Sequence, residues 1–178
     1  MALPAWWQVA TPHRDIREKR FSEAIFAADL GDVLGGSAPA EYIDPRLFFS
    51  RTYLTGGLRN LVRNILSRLG DGQGDPVIQL QTPFGGGKTH SLLCLYHLAK
   101  SFPEVNHLEQ VKELSSAFPS FQGAKAAVFV GTSADPVGGK TPWGEIAYQL
   151  GCYEVVKEHD QRRVAPGNLD SRRLITRW

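Results

Sequence analysis

A glycine-rich turn between two apolar stretches is the feature that most constrains the fold of this 178-residue chain. Residues 76–81, Pro-Val-Ile-Gln-Leu-Gln, have the composition of a short strand, and residues 89–100 that of a largely buried helix. A second apolar run, residues 126–130, is typical of a strand in a parallel sheet that is covered on both faces. Strands that alternate with helices in this order predict an α/β fold with a parallel sheet flanked by helices.

An N-terminal helical segment is predicted to precede this sheet. Asp44-Pro45 is a good helix start, with Asp as the N-cap and Pro at the first helical position. Apolar residues then recur at helical spacing over residues 54–69, and Gly56-Gly57 is expected to divide that helix in two.

Three further segments are predicted from their composition. Residues 1–20 are expected to be an irregular leader that packs through Trp6 and Trp7. Residues 104–118 are expected to form one helix. Residues 142–150 are expected to form another, which begins at a proline.

The glycine-rich turn carries the strongest chemical signal in the chain. Residues 82–89 read Thr-Pro-Phe-Gly-Gly-Gly-Lys-Thr, close to the phosphate-binding P-loop, or Walker A, pattern of glycine, four residues and Gly-Lys-Ser/Thr. Thr82 replaces the first glycine of that pattern. Glycines allow the backbone to curl around a phosphate, the curled N–H groups form an anion nest, and the following helix adds its positive end.

We therefore predict that ATP and Mg²⁺ are bound here. Lys88 would reach the β- and γ-phosphates, and the Thr89 hydroxyl would hold the magnesium ion. For His90 a structural role on the first helical turn is the alternative to a contact with the nucleotide. For the whole turn, the alternative is a glycine-rich loop that merely contains Gly-Lys-Thr. The predicted nucleotide contacts are Phe84, Gly85, Gly86, Gly87, Lys88, Thr89 and His90.

A second Gly-Gly-Lys-Thr sequence occurs at residues 138–141. Pro142 follows it directly and removes a backbone N–H close to where a phosphate would lie. We interpret this segment as a surface loop and helix start, not as a second phosphate site.

The acidic strand that a P-loop ATPase uses to hold magnesium and activate water is not found in the sequence. The run 126–130 ends in Gly131-Thr132-Ser133, and Asp135 lies too far beyond it. We therefore expect the chain to bind nucleotide and to hydrolyse it barely or not at all by itself, which leaves its status as an enzyme open.

Composition adds expectations about environment and core. The net charge of +2 predicts no strong attraction to nucleic acid or membrane, and no apolar stretch approaches the roughly 18 to 20 residues of a membrane span. A cytoplasmic location is expected by default. Cys94 and Cys152 are interpreted as reduced core thiols, and Phe48, Phe49 and Tyr53 as core aromatics.

Four blocks in one order resemble the bacterial and archaeal ATPase family catalogued as domain of unknown function 499. The blocks are residues 26–33, 44–54, 79–90 and 141–150, and the resemblance covers most of residues 7–167. It implies an N-terminal fragment of an AAA+-type P-loop ATPase, in which Thr82 belongs to the family's own loop variant. It also implies that the acidic strand lies beyond this chain.

The same resemblance implies a setting and a division into domains. Family members lie beside DNA methylases and helicases in what look like phage-defence loci, so nucleic acid or DNA-modifying partners are implied by analogy alone. The alternative is a non-catalytic nucleotide-binding regulatory or assembly module, and the oligomeric state stays open. The domains are an arm and helical segment (1–75), a partial P-loop NTPase core (76–167) and an irregular basic tail (168–178), which does not resemble the family and suggests truncation or a shifted reading frame.

Overall fold

The computed structural model describes residues 4–12, 14–18, 28–83, 85–135 and 139–164. Within these ranges the regular backbone consists of helices alone. The helices are α1 (Trp6–Val9), α2 (Arg14–Arg17), α3 (Leu30–Gly35), α4 (Ala40–Ile43), α5 (Pro45–Arg51), α6 (Gly56–Gly70), α7 (Lys88–Lys100), α8 (Phe102–Val105), α9 (Glu109–Ser115), α10 (Pro142–Gln149) and α11 (Tyr153–Val164).

The predicted P-loop NTPase-type parallel sheet is wrong, because the described residues contain no strand. Residues 76–81 lie in neither a helix nor a strand. Their side chains alternate, since Ile78 and Leu80 are half-buried while Val77 is 83% exposed. A strand inside a parallel sheet is covered on both faces, and a segment with one face in solvent does not meet that requirement.

The second predicted strand, residues 126–130, is held by a side chain instead of by a neighbouring strand. The backbone N–H of Val128 donates to Gln149 Oε1 at 2.8 Å, and Gln149 Nε2 donates to the carbonyl of Val128, also at 2.8 Å. A primary amide offers the same donor and acceptor pair as a peptide group. Gln149 therefore satisfies both backbone groups of Val128 and ties the run to α10.

The start of α5 agrees with the sequence prediction. The Asp44 carboxylate accepts hydrogen bonds from the backbone N–H groups of Arg46 and Leu47, at 2.8 and 3.1 Å, and Pro45 occupies the first turn. The long helix expected after it is indeed divided, but the break lies at residues 52–55. Gly56 and Gly57 begin α6 instead of interrupting a helix.

The main core lies among α5, α6, α7, α8 and α9, with Val33 of α3 and Phe121 at its edge. Leu66, Leu93 and Cys94 are fully buried in it. Burial raises the pKa of the Cys94 thiol to about 12, so this cysteine is inert, as expected of a core thiol. Ala147 of α10 is buried outside this core, where α10 packs on α11.

Helices α7 and α10 confirm their predictions, whereas the helix expected over residues 104–118 is two short helices, α8 and α9. The irregular leader is wrong in part, because α1 and α2 lie within it. Trp6 and Trp7 do not pack as expected, since they are 70% and 67% exposed.

Two residues assigned to the core are on the surface. Cys152 is exposed, because it lies in the turn that precedes α11 and not inside a helix. Tyr53 is 83% exposed. The predicted basic tail, residues 168–178, lies outside the described residues.

Candidate functional site

Three glycines shape the turn before α7, and two different reasons require them. Gly85 and Gly87 have φ values of 75° and 76°, in the left-handed region that favours glycine. Gly86 has no room for a side chain, since an added Cβ would lie 2.5 Å from Thr82 Oγ1 and 3.0 Å from the carbonyl oxygen of Pro83. The backbone path of this turn therefore depends on glycine at all three positions.

The start of α7 presents backbone donors to the exposed turn. Gly87 is the N-cap and supplies no side chain to bond the first amides. The first backbone bond of the helix runs from Ser91 N–H to the Gly87 carbonyl, at 2.9 Å. Within the described residues, the N–H groups of Thr89 and His90 bond to no backbone carbonyl. Such unpaired amides, together with the helix dipole, favour an anion at this position.

Lys88 folds across the base of the turn. Its ammonium donates to the Thr82 carbonyl at 2.8 Å, to Thr82 Oγ1 at 3.0 Å and to the Pro83 carbonyl at 3.1 Å. The Thr82 hydroxyl in turn donates to the Pro83 carbonyl at 3.2 Å. The residue that replaces the first glycine of the phosphate-binding pattern is thus a hydrogen-bond acceptor for the lysine of that pattern.

Thr89 and Phe84, two further predicted nucleotide contacts, lie on either side of the three glycines and Lys88. Thr89, the second residue of α7, is half-buried, and its hydroxyl oxygen is the type of ligand that Mg²⁺ accepts. Phe84 lies outside the described residues. The structure therefore brings Gly85, Gly86, Gly87 and Lys88 together in one exposed turn, with Thr89 directly behind it.

His90 contacts α5 and the residue that caps its C-terminal end. Its ring lies 4.8 Å from that of Phe48, and its Nε2 lies 3.1 Å from Thr52 Oγ1. The Thr52 hydroxyl has one proton and donates it to the Phe48 carbonyl at 2.7 Å, so it must accept from His90, which places the imidazole proton on Nε2. Burial lowers the pKa of His90 below its usual 6.5. These contacts favour the structural alternative for this residue.

The second Gly-Gly-Lys-Thr sequence starts a helix, as expected, and the anion at that helix start is the protein's own. The Asp160 carboxylate, which is buried, accepts from the Thr141 N–H at 3.0 Å and from the Thr141 hydroxyl. Its other oxygen accepts from the Tyr153 hydroxyl at 3.1 Å. An added Cβ on Gly144 would collide with this carboxylate. Residues 136–138 lie outside the described residues.

The lysines of the two sequences are placed differently. Lys140 Nζ lies 4.2 Å from the centre of the Tyr148 ring and 3.9 Å from Glu145 Oε2, and both of these residues belong to α10, the helix that follows Lys140. Lys88 instead bonds to the oxygens of its own turn. Among the described residues, the first sequence has an exposed turn with its lysine drawn across it, whereas the lysine of the second contacts side chains of α10.

Three of these interactions were not predicted from the sequence. The contact between Thr82 and Lys88 could have been suspected, because a hydroxyl stands where the pattern has glycine. The contact between Asp160 and Thr141 joins residues 19 apart and follows no periodicity. The pairing of Gln149 with a backbone segment likewise leaves no signal in composition or spacing.

A family profile described as "DUF499 N-terminal domain" matches residues 8–177. The chain belongs to the DUF499 family. The match runs past residue 167, where we expected the resemblance to end, and includes most of the tail that we expected to depart from the family. The DUF499 profile therefore covers the glycine turn, its helix and the second Gly-Gly-Lys-Thr sequence.

No curated protein and no solved structure matches this DUF499 chain. Within the described residues, no helix is long and apolar enough to cross a membrane. The same residues contain no group of three or more His, Cys, Asp or Glu side chains placed to hold a metal ion.

Proposed function

We propose that this DUF499 chain binds ATP with Mg²⁺ through the turn at residues 82–90, as the N-terminal portion of a P-loop ATPase. One observation carries the proposal: Gly85 and Gly87 take left-handed conformations directly before a 13-residue helix whose first residue is Lys88. Left-handed glycines next to a helix start turn successive N–H groups toward one point, and an anion is the partner that such a point favours.

Each predicted residue has a specific task in this proposal. The amides of Gly85 to His90 donate to phosphate oxygens, and Lys88 exchanges its present acceptors for the β- and γ-phosphates. The Thr89 hydroxyl is one ligand of Mg²⁺, which when bound neutralises part of the phosphate charge. Gly86 leaves room for the Thr82 side chain, which holds the backbone path of the turn. His90 supports the helix start through α5 and leaves phosphate contact to its backbone N–H.

A second candidate function is a nucleotide-binding regulatory or assembly module without catalysis of its own. The placement of His90 favours it, since that imidazole is packed against Phe48 and bonded to Thr52 instead of being available as a base. Steady-state ATPase turnover separates the two candidates. Turnover that Lys88→Ala abolishes would support the ATPase. Binding without turnover, also when the chain is extended by the acidic strand that the resemblance implies, would support the module.

A connection to DNA modification or phage defence is also a proposal. It rests on the resemblance of the chain to ATPases found beside DNA methylases and helicases, which is an argument by analogy. The contacts of the glycine turn support phosphate recognition and carry no information about nucleic-acid partners.

The test of nucleotide binding is a calorimetric titration with Mg-ATP. We expect Lys88→Ala to weaken binding about tenfold or more, because a charge-assisted hydrogen bond to phosphate is lost. Lys140→Ala is the matched control, since it removes the corresponding lysine of the second Gly-Gly-Lys-Thr sequence, and we expect it to bind like the wild type. Equal, appreciable binding by wild type and Lys88→Ala would remove Lys88 from the site.

A further inference from the structure

Tyr53 is an exposed aromatic ring on a fixed piece of backbone. It is 83% exposed, while its neighbours Thr52 and Leu54 are buried, with exposed fractions of 6% and 3%. Thr52 bonds to the Phe48 carbonyl and to His90, which holds the backbone on one side of Tyr53. On the other side, the Tyr53 carbonyl accepts from the Thr55 N–H at 3.0 Å. The ring therefore projects into solvent from an anchored position.

Two glycines beside this ring are not required by the fold. Gly56 and Gly57 are the first residues of α6, and neither has a positive φ. An added Cβ on either would meet nothing within 4 Å. Alanine is more favourable than glycine in a helix, so contacts inside the described structure give no reason for two consecutive glycines here. An uncovered glycine backbone does permit another molecule to approach closely.

This surface borders the start of α7. His90 is the third residue of α7, and its Nε2 lies 3.1 Å from Thr52 Oγ1. Tyr53 is the next residue along the chain from Thr52, so its Cα lies about 3.8 Å from that of Thr52. Tyr53 thus directly follows the residue that contacts the first turn of α7, and the two glycines lie three and four residues further along the chain.

We propose that Tyr53 stacks on the base of the bound nucleoside triphosphate and that Gly56 and Gly57 allow its sugar to approach the backbone of α6. This inference rests on the proposed function. A nucleobase has a flat π-face, and an exposed aromatic ring is a suitable partner for it whatever the base. The glycine turn then selects for phosphate, and the Tyr53–Gly57 surface selects for a nucleoside attached to it.

The test compares Mg-ATP with magnesium tripolyphosphate, which has the phosphate chain and no nucleoside. We expect the wild type and Tyr53→Ala to bind tripolyphosphate with equal affinity. We expect Tyr53→Ala to bind ATP about tenfold or more weakly than the wild type does. Tyr53→Phe keeps the ring and is expected to keep the affinity for ATP. Trp143→Ala removes a 67% exposed aromatic residue of α10 and serves as the control, with no change for either ligand.

A second variant separates a binding role from a structural one. Gly57→Ala is expected to raise the thermal midpoint of unfolding, because alanine favours the helix, and to lower the affinity for ATP but not for tripolyphosphate. An unchanged affinity for ATP in both Tyr53→Ala and Gly57→Ala would overturn the inference, while a loss of both ligands in Lys88→Ala would keep the proposed function. A wild-type chain that binds neither ligand would overturn both.

Discussion

Thr82 and Gly86 face each other across the glycine turn, and each restricts the residue that the other position can hold. The Thr82 side chain occupies the space where a Cβ of residue 86 would lie. Its hydroxyl also accepts a hydrogen bond from Lys88 at 3.0 Å. A glycine at position 82 would leave the space beside Gly86 unfilled, and Lys88 would lose the hydrogen bond to the Thr82 hydroxyl.

This pairing predicts a coupling between the two positions. Gly86→Ala is expected to lower the free energy of unfolding by about 1 to 3 kcal/mol, because the new Cβ collides with Thr82. In a Thr82→Gly background the same substitution should cost less, since the colliding side chain has been removed. Urea unfolding of the two single variants and the double variant measures the difference.

Gly56→Ala is the control for that cycle, because an added Cβ there meets no atom within 4 Å. It should not destabilise the chain in either background. The pairing would be contradicted if Gly86→Ala lowered the free energy of unfolding equally in the Thr82 chain and in the Thr82→Gly chain.

At the scale of elements, Asp160 joins two helices. It lies in α11, and its carboxylate accepts hydrogen bonds from Thr141, the N-cap of α10, and from Tyr153 at the start of α11. The Thr141 hydroxyl also accepts from the Gly144 N–H at 3.1 Å. One buried carboxylate thus bonds to the residue that caps α10 and to the first residue of α11.

Removing this carboxylate should loosen α10 and α11 without affecting α5 to α7. Asp160→Ala leaves the Thr141 N–H and the Tyr153 hydroxyl without their acceptor, and we expect a cost of about 2 to 3 kcal/mol. Hydrogen–deuterium exchange should show lost protection in α10 and α11 and unchanged protection in the main core. Glu154→Ala, an exposed acidic residue of α11, is the control and should change neither.

Faster exchange throughout the main core in Asp160→Ala would contradict this separation of the two packed regions. Protection in α10 that is the same as in the wild type would show that the carboxylate does not hold the helix start.

At the scale of the whole molecule, two histidines tie stability to pH. The rings of His90 and His97 lie 4.8 and 5.1 Å from that of Phe48, and burial lowers the pKa of both below 6.5. His97 Nε2 also contacts the Tyr42 carbonyl at 2.7 Å, and a carbonyl accepts only from a protonated nitrogen. The Tyr42 carbonyl favours the protonated ring of His97 and so opposes burial, but burial is the larger effect on its pKa.

The direction of the pH dependence follows from the lower pKa values of these two histidines in the folded protein. The unfolded chain, with histidine pKa values near 6.5, takes up protons before the folded chain does. The stability is complete above pH 6.5 and should fall as the pH decreases below it toward the lower folded pKa values. Urea midpoints between pH 7.5 and about 5.5 should decline, and His97→Gln should reduce the decline. His107→Gln, at an exposed position, should leave it unchanged.

Local signals allowed the start of α5 and the helices α7 and α10 to be predicted, whereas the sheet depended on a relation between distant segments. Asp44 and Pro142 act within a few residues, so the starts of α5 and α10 could be read directly. A short apolar run such as 126–130 is compatible with a strand but does not specify a neighbour, and here the neighbour is the Gln149 side chain. The sequence alone could not distinguish these outcomes.

In the candidate site, too, the local backbone could be predicted and the contacts between side chains could not. The glycine-rich sequence predicted a turn in which the backbone curls closely, and Gly85 and Gly87 have left-handed φ values in that turn. The placement of Lys88 on Thr82, and of Tyr53 in solvent, depends on side-chain packing that has no period in the sequence. Binding of ATP and Mg²⁺ by these residues stays a prediction.

The hydrogen bonds that Lys88 makes within its own turn set a threshold for any ligand. A phosphate that draws the ammonium away must replace three neutral oxygens that already satisfy it. Fully ionised phosphate oxygens are stronger acceptors than carbonyl oxygens, but a weakly charged or singly placed anion gains little from the exchange. On the proposed function, the turn therefore discriminates among anions before any contact with the nucleoside is made, in favour of those that carry several charged oxygens close together.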